Sequence, residues 1–483
     1  MSEAPVNRER IRIDGGVIVA YQDGGHRMLT DGVVVIDGNE IVHVGKTFDG
    51  AADRVIDARN AIVTPGLINT HTHLTESPLD KSFIEDQGRR QFYYSGLFEM
   101  LPARSAGIDD DARRACVDYS MGELLRTGTT TVMEIGGQGD YTAAAVENAG
   151  LRAYIANGYR SGRWHTPDGR RVDYRWDEEA GKEGFRRAVE FIERVDGSAN
   201  GRVKGYLSPA QVDTCTEELL RMSRAASDSM QVPLALHTSQ STNEFQEMIR
   251  RNGLTPVEWL NEIGFLSEWN ILGHVIIIAG SSWAQYSGDD LSLLAESGAS
   301  VAHCVWVFAR RGIAMESFGG YLKAGVNMCL GTDTAPQSMI EALRWTAVVG
   351  KITSRDTQQS TAADVFNAAT LNAAKMLHRN DLGRISVGAK ADILIWKRDS
   401  VFMTPLRDAL KNIVYNAQTE DLRTVIIDGT TVFDDGQPLY VDQPAANLAV
   451  QHAGERMWSE MQAGDWARRS VEELSPTTFP AWK

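Results

Sequence analysis

The stretch that decides the fold is Val63-Thr64-Pro65-Gly66-Leu67-Ile68-Asn69-Thr70-His71-Thr72-His73. It reads as a strand entered through a Pro-Gly break and ending in two imidazoles. Side chains on a strand alternate between faces, so His71 and His73, two residues apart, point the same way and can reach one ion. Imidazole suits zinc, iron, copper and nickel, and a catalytic zinc site usually has about three protein ligands with one position open. Two histidines are half of such a site, and on their own they read as two surface or core imidazoles.

Further along the chain, short apolar strands alternate with longer segments of helical period, the pattern of repeated strand-helix units around a parallel sheet. Strand candidates end near His73, Glu134, Asn157, Ser208, His237, His274, His303 and Asp333. Eight such units predict an α/β fold built on a (β/α)8 TIM-like barrel, whose active sites lie at the C-terminal ends of the strands. Core histidines or helix caps would have no reason to gather at one end of a barrel, yet His73, His237, His274, His303 and Asp333 all do. Three His (His71, His73, His237) and Asp333 would hold a single zinc or ferrous ion with a water in the open position. A metal-bound water is a nucleophile near neutral pH, Asp333 can take its proton, and His274 and His303 are left to hydrogen-bond that water or the substrate. Hydrolysis is the reaction that follows.

On either side of this region lie short alternating segments: Ile11 to Tyr21, Gly32 to Asp37, Glu40 to Gly45 and Ala61 to Val63, then Ala391 to Trp396, Thr424 to Asp428 and Thr430 to Phe433. Each half alone offers too little apolar surface for a core, which predicts one composite β-sandwich built from both flanks rather than two small domains. The boundaries expected are 1–64 and 381–444 for the sandwich, 65–380 for the barrel, and 445–483 for a tail. That tail carries Trp458, Trp466 and Trp482 and must cover either its own barrel or another subunit.

Composition narrows the partners. A chain of 483 residues with 43% hydrophobic content and a net charge of −15 is poorly suited to nucleic acid or anionic lipid. Its longest aliphatic run, around Val275 to Ala279, is far too short to span a bilayer, and Cys116, Cys215, Cys304 and Cys329 are scattered without a Cys-x-x-Cys pair. The expectation is a cytoplasmic protein with reduced thiols and a small-molecule substrate.

The run Pro65 to His73, followed by His237, His274 and Gly331-Thr332-Asp333, resembles the amidohydrolase superfamily. Leu382-Gly383-Arg384-Ile385-Ser386-Val387-Gly388-Ala389-Lys390-Ala391-Asp392 looks like that family's re-entry into the flanking sheet. Within it, the chain is similar to the branch of guanine and cytosine deaminases, triazine chlorohydrolases and related hydrolases. The resemblance implies one catalytic metal on His71, His73, His237 and Asp333, and a homodimer or higher homo-oligomer. Dinuclear members carry a carboxylated lysine on strand four, and Lys204 is the candidate for that alternative.

The departures bear on substrate. Family deaminases usually place a Glu three residues after the strand-five His, where this chain has Gln240, an amide that cannot shuttle a proton. Pro209-Ala210 stands where Pro-His is usual, and Cys304 to Phe308 replace a polar run. Gln240 is expected to hold substrate or water through its amide. Trp283 and Trp306, with Phe83, Phe92, Tyr93, Tyr94, Phe98 and Met100, are the candidate pocket lining, and Glu134 a support for His71 or His73. The reading is a hydrolase cleaving a C–N bond of a small, largely apolar amide, urea or carbamate. The alternative is a hydrolytic deaminase or dechlorinase of a nitrogen heterocycle of triazine, purine or pyrimidine type.

Overall fold

The computed structural model describes residues 9–83 and 96–482. The N-terminal flank supplies β1 (Arg10–Gln22), β2 (Gly25–Asp37), β3 (Glu40–Gly45) and β4 (Arg54–Pro65). Gly66 alone separates β4 from β5 (Leu67–Thr72), which is buried along its whole length. A Cβ at Gly66 would lie 2.0 Å from Thr130 Oγ1, so only glycine lets the chain pass this closely from one sheet into the next. β6 (Thr129–Gly136), β7 (Arg152–Asn157), the antiparallel hairpin β8 (Gly162–His165) and β9 (Asp173–Trp176), and β10 (Val203–Gly205) follow. Next come β11 (Leu234–Thr238), β12 (Asn270–His274), β13 (Ser300–His303) and β14 (Asn327–Leu330). The C-terminal flank holds β15 (Ile393–Lys397), β16 (Leu422–Ile427), β17 (Thr430–Asp434) and β18 (Gln437–Pro438).

Two parallel sheets carry the middle of the chain, in the orders β10-β7-β6-β5 and β11-β12-β13-β14. Isolated parallel bridges, Leu207 with Leu234 and Thr72 with Asp333, join them at both seams. One buried cluster takes Ile68, Met133, Tyr154, Ala235, Ile271, Ala302 and Cys329 from seven of these strands, and Tyr206 from the residue after β10. Stacked inward-pointing side chains of this kind fill the interior of a barrel-type sheet. Helices pack against these sheets, which is why the parallel strands read as near-continuous apolar runs.

The two flanks share one hydrogen-bonded sheet of eight strands, β18-β17-β16-β15-β4-β1-β2-β3. Antiparallel pairing of β15 with β4 stitches the two halves together, and Ile13, Ile18, Val34, Val63, Ile393, Ile395 and Ile426 share one core. Arg152, at the start of β7, ties the two regions: its guanidinium donates to Asp392 at 3.0 Å and to Asp428 at 2.9 Å. The tail covers its own chain, since the helix Gln443–Gly464 packs Ala453, Met457 and Met461 against Ala103, Ala112 and Cys116. Trp482 is left fully exposed. Among the described residues no helix is long and apolar enough to cross a membrane.

Candidate metal centre

His71 and His73 lie at the end of β5, and their imidazoles meet that of His237 from β11. The Nε2 atoms of His71 and His73 stand 3.1 and 3.0 Å from His237 Nε2. Asp333 Oδ1 lies 3.4 Å from His71 Nε2 and 3.3 Å from His73 Nε2. Backbone bonds lock this arrangement: Asp333 N donates to His71 O at 2.8 Å, and His73 N to Asp333 O at 2.9 Å. Asp333 and His274 both hold positive φ, 63° and 79°. Such conformations cost free energy in non-glycine residues and collect at functional sites.

The donor set fits a divalent metal. Metal–nitrogen bonds of about 2.0–2.1 Å place neighbouring ligand atoms roughly 2.9–3.4 Å apart, for right-angle to tetrahedral geometry. The far ring nitrogens are committed elsewhere: His73 Nδ1–H donates to Ile135 O at 2.9 Å and His237 Nδ1–H to Ala210 O at 2.6 Å. That tautomer turns both Nε2 lone pairs inward at each other, an arrangement that a shared cation satisfies. Burial pushes the His237 pKa well down, while Asp333 and Glu134 outweigh burial at His73 and raise it to about 9. Despite burial, the His71 and His73 imidazoles beside it hold the Asp333 carboxyl well below the usual range. His71, His237, His274 and Asp333 also form a group with ligand atoms all within 4.8 Å, which omits His73. His73's own contacts to His237 and Asp333 keep it in the cluster, so five side chains converge here.

His303 is buried beside His274 and packs on Phe318, with ring centroids 5.5 Å apart. Lys204 does not join the cluster, because its ammonium pairs with Asp196 at 3.4 Å. Glu134 does not touch the imidazoles either. It accepts from Leu74 N at 2.7 Å and Thr72 Oγ1 at 3.0 Å, clamping the residues on either side of His73. Gln240 precedes the helix Thr242–Asn252 and its N-cap Ser241 rather than lying within it. Its amide donates to Gln211 Oε1 at 2.5 Å, and Glu244 accepts from the backbone N–H groups of Ser239 and Gln240.

The aromatic candidates divide. Phe308, rather than Trp306, reaches the cluster, with its ring 4.7 Å from His274. Trp306 packs on Trp345 at 5.3 Å, and Trp283 donates to Ala314 O at 2.9 Å beside Ile276, Ile277, Phe308 and Ile313. Phe92, Tyr93 and Tyr94 lie outside the described residues. Phe98 stacks edge-on to Trp164 at 5.0 Å. Trp164 belongs to the β8–β9 hairpin, which is pinned to the buried Asp213 by Trp164 Nε1 at 2.8 Å and Tyr174 OH at 2.7 Å. Asp213 and Gln211 escaped sequence reading because neither forms a motif with its chain neighbours. Trp164→Phe should cost about 1–3 kcal/mol, the penalty for leaving a buried acceptor short of a donor, read as a lowered Tm.

The fold and this site define a class before they define a protein. The chain belongs to the amidohydrolase family, whose model matches residues 62–432. With its relatives, the match makes it a hydrolase acting on carbon–nitrogen bonds. It is 31% identical over 437 residues to a 5′-deoxyadenosine deaminase of Methanothermobacter thermautotrophicus, covering 89% of this chain and 95% of that one. A 5-methylthioadenosine/S-adenosylhomocysteine deaminase of Natronomonas pharaonis is 28% identical, with 86% and 91% covered. Among solved structures, an adenosine deaminase from Xanthomonas campestris with bound zinc superimposes with a TM-score of 0.79 at 23% identity, covering 93% and 98%. An atrazine chlorohydrolase from Arthrobacter aurescens TC1 complexed with zinc gives 0.80 at 22%, covering 92% and 100%.

Proposed function

We propose that this protein is a zinc-dependent hydrolase that removes an amino group, or a comparable leaving group such as chloride, from a ring carbon of a nitrogen heterocycle. The observation that carries the reading is the cluster of His71, His73, His237, His274 and Asp333 in a chain whose curated relatives are purine-nucleoside-type deaminases. These relatives favour a heterocycle over the amide, urea or carbamate inferred from the apolar residues after His303. The two parallel sheets act as halves of one closed (β/α)8 barrel, which the two seam bridges and the interior cluster drawn from seven of the strands support.

His71, His73, His237 and Asp333 would hold the metal, and the pairing of Lys204 with Asp196 supports one ion over two. When bound, that ion would lower the pKa of a water and so supply a nucleophile near neutral pH. Asp333, kept ionised by its imidazole neighbours, receives the proton lost by the nucleophile and returns it to the departing amine. His274 and His303 are neutral donors for the substrate, since burial lowers their pKa values to about 3 and about 4. Gln240 can donate a hydrogen bond to a ring nitrogen but cannot give up a proton. Phe308 and Trp283, which share one apolar cluster, shape the wall beyond His303 in place of Trp306.

The test is ammonia or chloride release by metal-loaded protein from 5′-deoxyadenosine, 5′-methylthioadenosine, S-adenosylhomocysteine and atrazine, against aryl amides and N,N-dialkyl ureas. Turnover confined to the carbonyl compounds would reject the proposal and establish the second reading. Gln240 is the one feature favouring that reading, since attack on a carbonyl puts charge on oxygen and asks for no ring-nitrogen acid. For a heterocycle, Gln240→Glu should raise kcat/KM for deamination by about 10²-fold, the usual scale of general acid assistance. An unchanged or lower value would show that the ring nitrogen needs no proton from this position.

A further inference from the structure

Gln211 has no counterpart among the ligands or acids discussed so far, yet its position is tied to His237. His237 N donates to Ala210 O at 3.2 Å, and Val212 N donates to His237 O at 3.0 Å. Gln211 is therefore the residue that bridges His237 in parallel register. Residues paired in this way carry their side chains on the same face of the sheet. The face of His237 is the one that meets His71 and His73, so Gln211 lies on the face of the sheet that carries the metal centre. There it accepts the Gln240 amide at 2.5 Å.

Two carboxamides bonded to each other leave a defined remainder. Each has one carbonyl oxygen and one NH2 group, and the mutual bond uses the NH2 of one and the oxygen of the other. Wholly unused among the described residues are the oxygen of Gln240 and the NH2 of Gln211, and the second N–H of Gln240 remains beside them as a further donor. Turning both amides over exchanges the two ends but still leaves one acceptor beside one donor, so the conclusion does not depend on how the amides are assigned. The pair is held from behind. Both oxygens of Glu244, itself fully buried, accept from the backbone of Ser239 and Gln240 and fix the turn that carries Gln240.

We propose that Gln211 and Gln240 act together as a specificity-determining pair that reads a planar substrate edge bearing a hydrogen-bond donor and an acceptor side by side. Such an edge is the N=C–N–H of an aminated or alkylaminated azine, or the O=C–N–H of a lactam. This rests on the heterocycle reading and deepens it: the pair selects neutral substrates and discriminates against rings or amides that lack the N–H or the ring nitrogen. A site built to hydrogen-bond a substrate group rejects the analogue without it far more strongly than an apolar pocket does, because its own buried groups are then left unpaired.

Binding and turnover are measured separately to test this. Metal-loaded wild type, Gln211→Leu and Gln211→Glu are titrated calorimetrically with 5′-deoxyadenosine and its 1-deaza analogue, in which the ring nitrogen is replaced by C–H. Ammonia release and metal content are followed in parallel. Wild type is expected to bind the first probe about 10- to 100-fold more tightly than the second. Gln211→Leu should abolish that preference with metal content unchanged. Gln211→Glu still accepts from Gln240 but loses the spare NH2, so it should fall between the two and serve as the control if the leucine variant does not fold. Preference shown by wild type and lost on substitution, without ammonia release, would refute the deaminase reading and leave the recognition pair standing. A preference that survives both substitutions overturns the pair, as does a wild type that fails to discriminate or binds neither probe.

Discussion

Asp333→Asn should lower kcat by about 10³-fold, a loss on the scale of a removed general base. Among the described residues, the carboxylate is the one anionic group that touches both His71 and His73, at 3.4 and 3.3 Å. An asparagine has the same outline and tolerates the positive φ that this position demands, so the fold should survive. What disappears is the negative charge that balances the imidazoles and the oxygen that carries the proton. Steady-state kinetics, with metal content measured on the same preparation, checks the result. A loss of less than tenfold with full metal content would remove Asp333 from the proton-transfer role. Gln240→Ala should be the milder lesion, since an amide contributes a hydrogen bond and no proton.

Gly273→Ala and Gly331→Ala should each weaken metal affinity by about 10²-fold, comparable to losing a group that orients a ligand. His71 is 1% exposed and is enclosed by these two glycines. A Cβ on Gly273 would stand 2.8 Å from His71 Cε1 and 3.2 Å from its Nδ1. One on Gly331 would stand 2.7 Å from His71 Cβ, 3.0 Å from Cys304 Sγ and 3.1 Å from His71 N. These contacts are with His71 and with Cys304 in a close-packed interior, so the imidazole must rotate or β5 must shift. Competition with a chromophoric zinc chelator measures the change, and circular dichroism confirms that the fold persists. Wild-type affinity in both variants would show that His71 is not held by packing.

Much of this site can be read along the chain because its carriers are strand ends. His71 and His73 declare a shared face by their spacing, and His237, His274 and Asp333 each close a short run that is largely apolar. Period-two alternation likewise marks the flanking strands, although the sequence underestimates their length. β2 begins at Gly25, where polar residues conceal a strand paired to β1. Gly273 and Gly331 precede a site histidine and follow a site strand, so their presence is visible, but the ring they make room for is not.

By itself the sequence determined the repeating strand-helix order, the ligand types and their chain positions, because these follow from local periodicity and side-chain chemistry. Only the tertiary structure decided which partners meet across long separations. It placed Glu134 on Leu74 and Thr72 instead of on an imidazole, turned Trp306 away onto Trp345, and brought Phe308 to His274. It engaged Lys204 with Asp196, set the strand order by which β15 pairs with β4 where the two flanks meet, and placed Gln211 against Gln240. The physical reason is that a hydrogen bond or packing contact between residues far apart in the chain depends on strand register. A shift of one residue there reverses which face a side chain takes, and no local propensity encodes that choice.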